Sequence, residues 1–297
     1  MKRILVTGAG GFLAGPLLER LKGRGIFFRL SRRAAPGRIV CDLSEPAATR
    51  AVIRLVRPDL VYHLAGVTRA PDWSGLWRPH VTATVSLLEA LIATGRPARV
   101  VIAASSAEYG AAGGARKARE DSPLMPVTLY GSCKLSQTMA ALSFSRGPIE
   151  VVAARIFNVL GPGTPENLAP GAFARQIARV AAGLQPPEIS VGDLSPRRDY
   201  VDARDVAAAL ELIARRGKTG ECYNVGSGRS VPMSAVLRGL ARAAGVRVTE
   251  KMDPARYRPS EVKDLAADTR RIRQLGWKPR IPFARSLADT LSWWRKH

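Results

Sequence analysis

Apolar residues recur along the first half of the chain in two registers, short β-branched runs and longer stretches with helical spacing. The run Ile4-Leu5-Val6 breaks into the cluster Gly8-Ala9-Gly10-Gly11 and then into Pro16-Leu17-Leu18-Glu19-Arg20-Leu21, which predicts strand, tight turn and helix. Further strands are predicted over residues 27–31, 38–42, 60–65, 99–104 and 149–154, with helices over 47–56, 80–93 and 130–146 between them. Strands alternating with helices imply an α/β fold, a doubly wound parallel sheet covered on both faces. Past Gly161-Pro162-Gly163 the alternation fades. Helices are expected over 171–183 and 203–215, a short apolar turn over 189–192, and a last helix with Phe283, Leu287, Leu291 and Trp294 on its packed face.

The glycine cluster is the first chemical signal. Glycine lets a backbone turn sharply and approach a pyrophosphate, while N–H groups at a helix start stabilise negative charge. Gly8 and Gly11 fit a G-x-x-G-x-x-G spacing with Ala14 in the third place, where close packing of helix on strand tolerates one methyl. The expected organisation is a Rossmann domain over 1–160, with a return segment near 198–226, and a smaller C-terminal substrate-binding lobe over 161–297. At the end of the second strand an NAD site carries an acid, whereas a site for the 2′-phosphate carries arginine. Ser31-Arg32-Arg33 offers two guanidiniums and no acid, which favours NADP(H) over NAD(H). Asp42-Leu43 is placed at the adenine, and Leu64-Ala65-Gly66 gives the backbone close access to the cofactor.

The formal net charge of +22 raises nucleic acid as a partner. The cations are dispersed, however, with neither a basic tail nor an arginine–aromatic repeat, which argues for a solvated surface. Cys41, Cys133 and Cys222 are few and far apart, so thiols are expected and no metal site. No apolar run approaches the roughly 20 residues needed to span a bilayer, and Met1-Lys2-Arg3 leads straight into a strand, so a soluble cytoplasmic protein is expected.

Tyr130 and Lys134 stand four apart on one helical face. A lysine near a phenol favours the phenolate and would lower its pKa from about 10 toward the working pH. Ser105-Ser106, at the end of the strand before this helix, offers a hydroxyl to complete a trio around a reacting oxygen.

Together, Thr7-Gly8-Ala9-Gly10-Gly11-Phe12-Leu13, Asp42-Leu43, His63-Leu64-Ala65-Gly66, Ser105-Ser106 with Tyr109-Gly110, Tyr130 with Lys134, and residues 155–163 resemble the extended short-chain dehydrogenase/reductase family that acts on nucleotide sugars. The resemblance implies Gly8, Gly11, Phe12 and Leu13 at the cofactor, Tyr130 as acid/base, Lys134 on the nicotinamide ribose, and Ser105 on the substrate oxygen. Residues 191–201 and 258–262 resemble the GDP-mannose dehydratase and GDP-4-keto-6-deoxymannose reductase branch. That likeness implies Ser106 and Asn158 near the sugar or diphosphate, Gly192 and Leu194 at the base, Arg198 and Arg258 on the diphosphate, and Glu261 on the ribose hydroxyls. An ion pair of Arg198 with Asp199 or Asp202 is the plainer alternative.

Dehydratases of this family carry an acid within two positions of the catalytic Thr/Ser, and here those positions are Ser106 and Ala107. Glu108 comes one residue later and is expected to point elsewhere unless a bulge redirects it. The resemblance therefore implies a GDP-sugar 4-ketoreductase, with a 4-epimerase holding NAD as one alternative and a non-catalytic or RNA-binding member as another. His80 stands where the family usually has Asn, so it must replace those hydrogen bonds or alter the local geometry. The helices over 80–93 and 130–146 resemble those that pair in the family's dimers, implying a homodimer.

Overall fold

The computed structural model describes residues 1–112, 117–145, 147–257 and 261–297. Arg258, the predicted diphosphate ligand, and Arg146, the predicted end of a helix, lie outside the described residues.

The first half alternates as its apolar pattern requires: β1 (Arg3–Thr7), α1 (Ala14–Arg20), β2 (Ile26–Ser31), β3 (Ile39–Val40), α2 (Pro46–Val56), β4 (Leu60–His63), α3 (Trp73–Trp77), α4 (Ala83–Ile92), β5 (Ala98–Ser105), α5 (Leu129–Ser143) and β6 (Ile149–Ile156). The second half holds β7 (Asn158–Leu160), α6 (Ala169–Ala181), β8 (Glu188–Val191), β9 (Arg197–Asp202), α7 (Ala203–Arg216), β10 (Cys222–Val225), β11 (Ser230–Pro232), α8 (Met233–Ala244), β12 (Thr249–Met252), β13 (Asp264–Leu265), α9 (Arg270–Gln274) and α10 (Phe283–Trp294).

Among the described residues, seven strands form a sheet in the order β10-β6-β5-β4-β1-β2-β3. Every neighbouring pair in it is parallel. Both faces are covered. Val6, Tyr62, Val101 and Val152 pack with Leu17 of α1 and Leu210 and Ile213 of α7. Leu5, Val61, Val100 and Val151 on the alternate positions pack with Ile53 of α2, Leu87 and Leu91 of α4 and Ala141 of α5. This is the doubly wound sheet that the alternation predicts, with strand order reversing between β1 and β4. Ligands bind such sheets outside the C-terminal strand ends at that reversal. A third core joins Phe173 and Ile177 of α6, Leu237 and Leu240 of α8, and Leu287 and Leu291 of α10.

Several elements differ from the sequence pattern. The apolar turn expected over 189–192 is strand β8, parallel to β12. Ile189 and Val191 are both buried, and the partner that makes the segment a strand lies some sixty residues on, beyond any local signal. The strand expected over 38–42 contracts to Ile39–Val40. The helix expected over 80–93 divides into a π-helical turn, Arg78–Thr82, followed by α4. β10 has no pattern of its own, yet joins the parallel sheet beside β6.

Candidate active site

Strand ends at the reversal point open into a cavity of ≈ 1050 Å³. Gly8, Gly11, Phe12 and Leu13 after β1, Leu64, Ala65 and Gly66 after β4, Ser105 and Ser106 at the end of β5, and Tyr130 and Lys134 of α5 all line it. Asn158, Arg198 and Glu261 line the same space from the C-terminal half.

The glycine turn is shaped by close approach. Gly8 has φ +65°, and a Cβ there would stand 2.8 Å from Ala65 Cα and N, so the glycine turn after β1 presses on the turn after β4. Gly11 N–H donates to Gly8 O at 2.8 Å and Ala14 N–H to Gly11 O at 3.2 Å. Among the described residues no protein acceptor takes the N–H of Phe12 or Leu13, and Leu13 provides no side-chain cap for α1. A pyrophosphate fits such donors, and Ala14, fully buried, makes the tight helix–sheet contact expected of the third position. Arg38, to which the sequence pattern assigns no site role, lies over this turn, since a Cβ on Gly10 would meet its Nη1 at 2.6 Å.

Other predicted residues stand outside the cavity walls. Arg32 and Arg33 are exposed beyond the end of β2. Asp42 folds back on its own loop: burial alone would raise its pKa, but hydrogen bonds from Ser44 N–H and Oγ, at 2.9 and 2.8 Å, outweigh it, helped by Arg32 and Arg78. Leu43 is buried in the sheet's core. Gly192 abuts the Arg256 carbonyl and Leu194 packs against the third core, and neither forms part of the cavity wall. The aspartates considered as partners for Arg198 are engaged elsewhere. Asp199 accepts from Ser227, Gly228 and Ala267, and Asp202 is held by Arg204 and Ser286. A second cavity, ≈ 910 Å³, between α8 and the start of α10 contains none of the residues expected to touch cofactor or substrate.

Around Tyr130 the electrostatics depart from the sequence expectation. Burial pushes the phenol above its ordinary pKa, a hydrogen bond with Ser105 opposes this, and Glu108 adds to the rise. The net direction is therefore upward, opposite to the lowering expected from Lys134. Burial also brings Lys134 down to about 8, against the pull of Glu108. Its ammonium donates to Ala103 O at 2.5 Å and to Gln137 Oε1.

His80, expected to replace an Asn's hydrogen bonds or to alter the local geometry, is buried against the turn after β4. It sits in the π-helical turn, its Nε2 pairs with Val67 O at 2.8 Å, its ring meets Tyr130 edge-on at 5.6 Å, and a Cβ on Gly66 would strike it. Glu108 ends a 3₁₀ turn, Ser106–Glu108, that carries its carboxylate away from the cavity into the core. Sequence reasoning assigned no role to Gln137 or Thr84. Both are buried polar residues on α5 and α4, and polar positions inside an apolar helical face are the signal that marks them.

The sequence pattern of the NAD dependent epimerase/dehydratase family matches residues 4–226. The chain is 33% identical to GDP-6-deoxy-D-mannose reductase of Pseudomonas aeruginosa, over 99% of this chain and 97% of that protein. It is 32% identical to dTDP-6-deoxy-L-talose 4-dehydrogenase (NAD(P)(+)) of Kitasatospora kifunensis, over 94% and 91%. Among solved structures, RMD from Pseudomonas aeruginosa complexed with NADPH superposes with a TM-score of 0.89 at 30% identity, covering 100% of this chain and 99% of the other.

Proposed function

This chain belongs to the NAD dependent epimerase/dehydratase family, and we propose that it reduces the 4-keto group of a nucleotide-activated 6-deoxy sugar, of the GDP-4-keto-6-deoxymannose to GDP-rhamnose type. The observation that carries this reading is the convergence of Ser105, Tyr130 and Lys134 on the cavity that also receives the glycine turn. Gly8, Gly11, Phe12, Leu13 and the 64–66 turn would hold the dinucleotide, and bound NADPH would supply the hydride. Tyr130 protonates the sugar oxygen as charge develops on it, while the Ser105 hydroxyl holds that oxygen. A high phenol pKa suits a proton donor. Arg198 and Glu261 line the same cavity and would take the nucleotide, a guanidinium for diphosphate and a carboxylate for a diol.

Reduction is favoured over dehydration because Ser106 and Ala107 line the cavity and neither is an acid, while Glu108 is turned away. NADP(H) is favoured over NAD(H) by the arginine pair after β2 and by the NADPH complex of the similar enzyme. A 4-epimerase would retain its cofactor and consume none. The test is to mix the purified protein with GDP-4-keto-6-deoxymannose and NADPH. Stoichiometric NADPH oxidation with a GDP-6-deoxy sugar product is expected. Tightly retained NAD(H) with no net NADPH consumption points to the epimerase, and inertness toward nucleotide sugars overturns both.

A homodimer through α4 and α5 accompanies this reading. Ile92, Leu129 and Met139 of these helices and Trp73 nearby are exposed apolar residues, a face that a second copy would cover. Sedimentation should give twice the chain mass, and Met139→Lys should return it to one. Cytoplasmic location goes with the same reading. No helix among the described residues is long and apolar enough to cross a membrane.

A further inference from the structure

A buried chain of hydrogen bonds runs from the end of β1 to the ammonium of Lys134, and each proton along it has one place to be. Thr84 Oγ1 lies 2.5 Å from His80 O and donates its single proton there. It must therefore accept from its other neighbours, His63 Nε2 at 2.9 Å and Gln137 Nε2 at 2.8 Å. His63 is thus protonated on Nε2, and its bare Nδ1 accepts from Thr7 Oγ1 at 2.8 Å. Thr7 Oγ1 in turn accepts from Ala65 N–H at 3.2 Å, in the turn that presses on Gly8.

At the other end the Gln137 amide, its NH₂ engaged by Thr84, presents Oε1 to Lys134 Nζ. A reversed amide would set an NH₂ group against an ammonium. Lys134 and Gln137 are three apart on α5 and share a face. With Ala103 O as the second acceptor, two of the ammonium's three protons are directed by the protein.

We propose that Gln137 is a positioning residue: a neutral acceptor that fixes the direction of the Lys134 ammonium without neutralising it, so that its full charge acts on the Tyr130 phenol. The inference rests on the reading of Tyr130 as the acid. A carboxylate at 137 would form a buried ion pair and cancel most of that field, while an aliphatic side chain would leave a buried ammonium short of an acceptor. The remaining titratable groups around the pair leave the role to Gln137. Glu108 is held by Arg155, and His63 and His80 are driven by burial to about 3 and about 4 and stay neutral.

Gln137→Glu is nearly isosteric and is the main test. The upper pH limb of kcat/KM for ketone reduction, where the phenol loses its proton, should move up by about one pH unit, because a neutralised lysine no longer favours the phenolate. Gln137→Met should lower kcat about tenfold with the sugar KM little changed, since a loosened ammonium affects the reacting geometry more than binding. Nζ NMR of labelled lysine, assigned with Lys134→Met, should show Lys134 titrating higher in Gln137→Glu whether or not the enzyme turns over. A folded Gln137→Glu protein with an unmoved upper limb overturns the inference, as does an unmoved Lys134 titration. Tyr130→Phe run beside them separates the two ideas: undiminished turnover there removes the reading of Tyr130, while the lysine titration still judges Gln137.

Discussion

Glu108 Oε2 accepts the Arg155 Nε proton at 2.9 Å in a pair almost withdrawn from solvent, the two side chains 0% and 4% exposed. The other oxygen accepts from Ser105 N–H at 2.8 Å and from Thr138 Oγ1 at 2.9 Å. One carboxylate thus joins the end of β5, the middle of α5 and β6, and it holds the backbone of Ser105. Glu108→Ala should destabilise the fold by about 3–5 kcal/mol, because Arg155 is left buried and uncompensated. Urea unfolding measures this, and a variant as stable as the parent would show that the pair contributes nothing.

Tyr130→Phe keeps the ring and its edge contact with His80 but removes the hydroxyl proposed to donate the proton. Turnover should fall by about 10²–10⁴-fold, the usual range for a general acid. NADPH affinity by fluorescence should change little, so a parallel loss of both would assign Tyr130 to cofactor binding.

Gly8→Ala places a Cβ 2.8 Å from the backbone of Ala65 at a φ of +65°. The left-handed conformation alone costs an L-residue about 1–2 kcal/mol. The turn should shift and NADPH binding weaken at least about tenfold, which corresponds to about 1.4 kcal/mol. Isothermal titration of NADPH decides it.

His63 is fully buried and neutral, its pKa driven by burial from 6.5 down to about 3, with Lys134 and His80 adding to the fall. Unfolded, it binds a proton below about 6.5. Across the window from 6.5 to 3 the unfolded state therefore holds more protons than the folded one, and stability falls as pH falls. His63→Gln should flatten that dependence by about 1.4 kcal/mol per pH unit. Chemical denaturation at pH 7, 6 and 5 checks it, and unchanged slopes would mean that His63 gains its proton in the folded state too.

Arg32 and Arg33 stand exposed past β2, and the proposed preference for NADP(H) rests on their meeting its 2′-phosphate. Replacing both by Ala should raise the KM for NADPH about tenfold or more and leave that for NADH nearly unchanged, since charge-assisted hydrogen bonds to phosphate are lost. Equal effects on both cofactors would place the discrimination elsewhere, with Arg38 over Gly10 the next residue to replace.

Much of this arrangement is local to the sequence. Ile4-Leu5-Val6 running into Gly8 announces strand, turn and helix because each is a local property of apolar period and backbone freedom. The four-residue spacing of Tyr130 and Lys134 is equally local, and both reach the cavity. What no local pattern contains is the partner of each group. β8 is a strand because β12 lies beside it, and β10 enters the parallel sheet because β6 leaves that edge open to it. The same holds for charge. Spacing foretold a phenol lowered by its lysine, whereas its pKa is set mainly by burial, which depends on everything packed around it. Glu108 lies just past β5 in sequence, and only the 3₁₀ turn and the waiting Arg155 decide that its carboxylate faces inward. The types of element and the chemical groups are inscribed in short stretches of sequence. Their pairing, their solvation and the direction of their protons arise only where distant segments meet.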